Sequence, residues 1–178
     1  GWNRHSDFSV LRSVASVGLS RTQRAPAAAP SFSAVSANVT LPYGSISTYH
    51  SCAILSGRLK CWGYSGHGEL GAGMFTSLPS LAAQDVIGLQ GDVHVVACGI
   101  HHNCAIAGSS RTVFCWGHNN FGQLGDRTIA WKAQPVPVNG SDPIYRLDNA
   151  RLICAGLYHS CAVIGSSGLY CWGRGDNG

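Results

Sequence analysis

The chain has 178 residues, of which 45% are hydrophobic and only 11% charged, with a formal net charge of +4. That apolar content excludes a disordered polymer, and 23 glycines beside one methionine argue against a helical bundle, because glycine loses the most backbone entropy in a helix interior. The basic residues form no stripe beyond Arg4, Arg12, Arg21 and Arg24 near the start, and no apolar run reaches the ~20 residues of a membrane helix, so neither a nucleic-acid partner nor a membrane segment is expected.

Residues 1–38 are rich in Ser, Ala and Arg, with Asp7 their one acidic residue. The run Arg24-Ala25-Pro26-Ala27-Ala28-Ala29-Pro30 offers little to bury, and the stretch reads as an irregular leader or linker. Residues 39–178 read as a second region, built of repeats.

The first copy is His50-Ser51-Cys52-Ala53-Ile54, a Ser56-Gly57 turn, then Leu59-Lys60-Cys61-Trp62-Gly63. The second places His102-Asn103-Cys104-Ala105-Ile106 before Val113-Phe114-Cys115-Trp116-Gly117. The third places His159-Ser160-Cys161-Ala162-Val163 before Leu169-Tyr170-Cys171-Trp172-Gly173. Trp62, Trp116 and Trp172 recur about 55 residues apart, a period that means stacked supersecondary units. Each unit predicts strand, Gly/Ser turn, strand. Apolar stretches such as Val93–Ala97 and Ala150–Ile153 add a strand before the hairpin, and the Pro-bearing segments Leu78–Leu81 and Gln134–Val138 add one after it. Four short strands per unit is the content of a propeller blade, so the fold class is all-β, a partial β-propeller of about three blades.

Within each hairpin the cysteines bracket the turn almost symmetrically. Residues equidistant from an antiparallel turn face each other at a Cα separation of ~4.5–5.5 Å, inside the disulfide window. Cys52–Cys61, Cys104–Cys115 and Cys161–Cys171 are therefore expected to be bridged, which implies a secreted, extracellular or lumenal setting; the alternative is free thiols in the cytoplasm or nucleus. Cys98 and Cys154 are left over, unpaired or with unknown partners. Asn38 and Asn139 head glycosylation sequons, which suit the same setting.

The run Cys98-Gly99-Ile100-His101-His102-Asn103-Cys104 superficially suggests a metal site, but it lacks short paired ligand spacing, and His102 and Cys104 are repeat positions. No metal and no cofactor are expected. His50, His102 and His159 recur once per unit, as structural residues do, whereas a catalytic histidine is needed once. Arg174-Gly175-Asp176 falls where a turn demands Gly and small polar residues. No nucleophile with a base can be nominated, so no catalytic residue is expected.

After each Trp-Gly comes a glycine-punctuated turn, Gly63 to Gly71 and Gly117 to Gly125, the latter with Gly122, Leu124 and Gly125 as repeat positions. The pattern H-[ST]-C-A, C-W-G, N-x-x-G-Q-L-G, clearest from Ala97 to Asp126, resembles the repeat of the regulator of chromosome condensation family. The resemblance implies a β-propeller, usually of seven blades and therefore of about 350 residues or more. On that comparison the chain is expected to be a fragment of a larger protein, truncated at the C-terminus within a motif at Asp176-Asn177-Gly178, and unable to close a propeller alone. Known functions of the family include nucleotide exchange on a small GTPase, ultraviolet sensing, β-lactamase inhibition by secreted propellers, and plant receptor-kinase ectodomains. The shared element is a rigid ring presenting loops to a protein. The expected function is non-catalytic recognition of a protein partner; the alternative is an intracellular exchange-factor-like regulator of a small GTPase.

Overall fold

In the first hairpin, Ser56 (φ 50°) and Gly57 (φ 78°) both take the left-handed region, the geometry of a two-residue turn that matches strand twist. This turn joins β2 (His50–Leu55) to β3 (Arg58–Ser65), with Leu55 opposite Arg58 and Cys52 opposite Cys61. The same hairpin recurs as β6 (His102–Ala107) with β7 (Thr112–Gly117), and as β10 (His159–Ile164) with β11 (Gly168–Gly173). The structure, a computed structural model, describes residues 32–37, 49–139, 146–166 and 168–176.

Around the hairpins stand β1 (Phe32–Ala37), β4 (Thr76–Asp85), β5 (Val93–Cys98), β8 (Lys132–Pro137) and β9 (Ala150–Ala155). They complete three antiparallel sheets in the orders β1-β2-β3-β4, β5-β6-β7-β8 and β11-β10-β9. The molecule is all-β among the described residues, a partial β-propeller with one sheet per repeat. No helix among them is long and apolar enough to cross a membrane.

One sequence expectation is corrected. Phe32–Ala37, read as part of an irregular leader, forms β1 and pairs with β2, Ala37 opposite Ser51 and Ser36 opposite Cys52. It holds the sheet position that β5 and β9 hold in the other units, where Cys98 faces Asn103 and Ala155 faces Ser160. Ser36 also reaches the next sheet, its Oγ accepting from the Cys98 amide at 3.0 Å.

Apolar faces meet between consecutive sheets. Ile54, Leu59, Leu70, Val93, Val96 and Trp116 fill the first interface; Ile106, Val113, Leu124, Val138, Ala150 and Ile153 fill the second. The middle sheet is covered on both sides, so every residue of β6 is buried. On the third sheet Leu152, Leu169 and Tyr170 are exposed.

The structure bonds Cys52 to Cys61, Cys104 to Cys115 and Cys161 to Cys171, each pair with a Cα separation of 4.1 Å. Cys98 is free and partly buried, Cys154 free and exposed. Burial pushes the Cys98 thiol up to about 12. Asn38 lies outside the described residues. Asn139 forms an isolated bridge with Arg146.

Candidate functional site

The repeated histidines, indoles and turn residues build the joint between blades. His50 Nε2 lies 2.7 Å from Asn103 Oδ1, whose Nδ2 donates to the Glu69 carbonyl oxygen at 2.7 Å. Trp116 Nε1 donates to the same oxygen at 2.8 Å. One unit later His102 Nε2 lies 2.9 Å from Ser160 Oγ, which donates to the Gln123 carbonyl at 3.1 Å, and Trp172 Nε1 donates to that carbonyl at 2.8 Å. Trp62 holds the equivalent register position opposite Ser51. His159 holds the corresponding position opposite Gly173.

Desolvation keeps these buried rings neutral. Burial lowers the pKa of His50 from its ordinary value, and that of His102 to about 3. The suspected ligand run from Cys98 to Cys104 is thereby dispersed: Cys104 is bonded to Cys115, and His102 turns to Ser160.

The turns need glycine for a definite reason. A Cβ on Gly125 (φ 65°) would lie 2.7 Å from Val138 and 2.9 Å from the Trp172 ring, while one on Gly122 (φ 74°) would meet nothing. Within the turns, Leu70 N donates to Ser65 Oγ at 3.2 Å and Leu124 N to Asn119 Oδ1 at 3.0 Å, which seats both leucines beneath them.

At the same end of the sheets, a cluster of aromatic and imidazole rings gathers residues that the repeat does not require. Asn119 Nδ2 donates to the carbonyls of Thr128 at 2.9 Å and Ala130 at 3.2 Å, folding the loop after Gly125 back over the turn. That loop delivers Trp131, whose Nε1 donates to Asn120 Oδ1 at 2.7 Å and whose ring sits 4.6 Å from His67 and 5.4 Å from His118. Phe121 packs 5.0 Å from Tyr158, and the Arg174 guanidinium lies 4.9 Å above the Phe121 ring. Phe121 and Trp131 are each 40% exposed. Sequence reasoning placed Phe121 and Arg174 in turns and gave Trp131 and Tyr158 no role. Trp131 and Tyr158 both approach His118, at 5.4 and 6.3 Å, through the blade-to-blade contact.

Beneath the rings lies Glu69, with 0% of its side chain exposed. His67 Nδ1 is 2.9 Å from Glu69 Oε1 and His101 Nδ1 is 3.3 Å from the same oxygen. The His101 atom is buried but off line for a hydrogen bond. The His67 amide donates to Glu69 Oε2 at 2.8 Å. Burial alone pushes the Glu69 carboxyl up, but the His101 imidazole beside it, the His67 bonds and the backbone amides outweigh it and hold the group at about 2. His118, desolvated and beside His67 and His101, is lowered to about 4, and its Nδ1 meets Gln123 Nε2 at 2.8 Å.

Residues 93–123 and 112–163 match family models described as the regulator of chromosome condensation (RCC1) repeat. The chain is 34% identical over 131 residues to the ultraviolet-B receptor UVR8 of Arabidopsis thaliana, covering 72% of this chain and 28% of that protein. It is 33% identical over 137 residues to the probable E3 ubiquitin-protein ligase HERC3 of Homo sapiens, covering 75% and 12% respectively. The chain thus spans less than a third of the length of these relatives. Among solved structures, human WBSCR16 superposes with a TM-score of 0.58 at 20% identity, over 72% of this chain and 33% of that one. Yeast RCC1 (Prp20) bound to Kap60 superposes with a TM-score of 0.56 at 26% identity, over 71% and 28%.

Proposed function

Because the chain belongs to the regulator of chromosome condensation (RCC1) repeat family, we propose that it acts by recognising a protein, with the loop face around Phe121, Trp131, Tyr158 and Arg174 as its contact surface. The observation that carries this reading is the half-exposed ring cluster on loops of adjacent blades. Aromatic and arginine side chains on a rigid support are the residue types that dominate protein interfaces, since they bury large area at low entropic cost. Phe121 meets no requirement of the turn, because His67 stands at the same position one unit earlier. The similarity to yeast RCC1, a protein that Kap60 binds, supports the same class of function.

The reading is non-catalytic, since His50 and His102 are committed to hydrogen bonds with the next blade. Three cross-strand disulfides support an oxidising compartment. The rival is exchange-factor activity on a small GTPase.

Both are tested with the full chain. Affinity capture with wild type and with a Phe121→Ala/Trp131→Ala variant should yield a partner that the variant loses by tenfold or more, with unchanged thermal unfolding. Equal capture by both proteins would overturn the assigned face. Accelerated release of a fluorescent nucleotide from a small GTPase, saturable in this protein, would replace recognition alone by exchange.

A further inference from the structure

Glu69 and Gln123 occupy the same position of successive turns, Gly68-Glu69-Leu70-Gly71 and Gly122-Gln123-Leu124-Gly125. Each closes its turn in the same way: Glu69 Oε2 accepts the His67 amide at 2.8 Å, and Gln123 Oε1 accepts the Phe121 amide at 3.0 Å. A neutral amide therefore suffices for the fold. A carboxylate of the same shape adds a fully buried negative charge, which costs free energy unless something cationic or hydrogen-bonding answers it. The residues around Glu69 have changed with it. His67 stands where the next turn has Phe121, and His101 stands where the next blade has Tyr158. All three departures converge on one oxygen, at 2.9 Å and 3.3 Å, although the residues come from two sheets.

We propose that His67 Nδ1, Glu69 Oε1 and His101 Nδ1 bind a divalent metal ion of the zinc class, with a solvent molecule as fourth ligand. Two imidazoles and a carboxylate are a recurrent three-ligand set for such ions. Ligands about 2.0–2.1 Å from a tetrahedral ion lie roughly 3.3 Å from one another. The ligand atoms here are already gathered within 4.8 Å, with two separations near that value. His101 Nδ1 is buried and makes no hydrogen bond, so coordination would give it the partner it lacks. Trp131 packs 4.6 Å from His67, and His118 lies 5.0 Å from His67 and 6.2 Å from His101, so aromatic rings flank the two imidazoles. The doubly charged ion would offset the carboxylate that the turn itself does not need. The inference does not depend on any protein partner.

The test uses the full chain with disulfides intact, stripped by a chelator and titrated with zinc against a chromophoric competitor, and with cobalt as a spectroscopic probe. One equivalent of zinc should bind. Cobalt should give visible bands of a four- or five-coordinate nitrogen/oxygen site, without thiolate charge transfer. Glu69→Gln and His101→Tyr copy the next unit and should each weaken zinc by at least about tenfold, while His94→Gln should leave it unchanged. Should a variant lose its native unfolding transition, the cobalt spectrum and nitrogen count of the wild type decide instead. Absence of saturable binding, unchanged affinity in folded Glu69→Gln and His101→Tyr, or a thiolate band from Cys98 or Cys154 would overturn the assignment.

Discussion

The Trp116 indole donates to the backbone carbonyl of Glu69 at 2.8 Å, across the boundary between two blades. Trp172 repeats the contact on Gln123 at the same distance. Trp116 and Trp172 thus each close the turn of the preceding unit, a role beyond hairpin packing.

Replacing Trp116 with Phe keeps most of the apolar volume and removes the donor. The expected loss of stability is about 1–2 kcal/mol, since the Glu69 carbonyl keeps its bond from Asn103. Trp116→Ala should cost about 3–5 kcal/mol, because the side chain is fully buried. Urea unfolding of the two variants checks both the order and the gap.

Two glycines of one turn should behave differently. Gly122→Asn is expected to cost little, because its Cβ position is open and Asn tolerates positive φ. Gly125→Asn must push against Val138 and the Trp172 ring and should lower stability by about 1–3 kcal/mol. Equal thermal shifts for the pair would show that the Trp172 contact is not what selects glycine.

The thiols should divide into three classes. Non-reducing peptide mapping should recover Cys52–Cys61, Cys104–Cys115 and Cys161–Cys171. Cys154 should alkylate readily at neutral pH, whereas Cys98, partly buried and held protonated up to about 12, should react far more slowly until the protein unfolds. Rapid alkylation of all eight cysteines in native protein would contradict the pairing and the oxidising compartment together.

Burial lowers the His50 pKa below its ordinary 6.5. The native state then refuses a proton that the unfolded chain accepts, so stability is fully present above pH 6.5 and falls as the pH drops below it. With chelator present to remove metal effects, the unfolding midpoint should decline from pH 7 toward pH 5. His50→Gln, which keeps a donor toward Asn103, should flatten that slope; an unchanged slope would assign the proton uptake elsewhere.

The hairpins and their bridges were legible because a disulfide partner is fixed by symmetry about a turn, and turn residues such as Ser56-Gly57 are local. β1 was not legible: Phe32–Ala37 is a short Ser/Ala-rich strand next to a low-complexity run, and it is held by pairing with β2, a tertiary fact. The joint chemistry was half legible. Recurrence marked His50, His102 and His159 as structural, but the partners of His50 and His102 lie more than fifty residues away. The His67–Glu69–His101 cluster was missed because its members span two sheets. The available signal was three departures between equivalent positions, His67 for Phe121, Glu69 for Gln123 and His101 for Tyr158.

The hydrogen-bonded joint has a polarity. One side of a blade offers a turn carbonyl, Glu69 or Gln123, and the other offers an indole with Asn103 or Ser160. The indole of one side finds its acceptor on the turn carbonyl of the other, so the two sides of a blade are complementary rather than alike. Stacking through this joint is therefore head to tail from one repeat to the next.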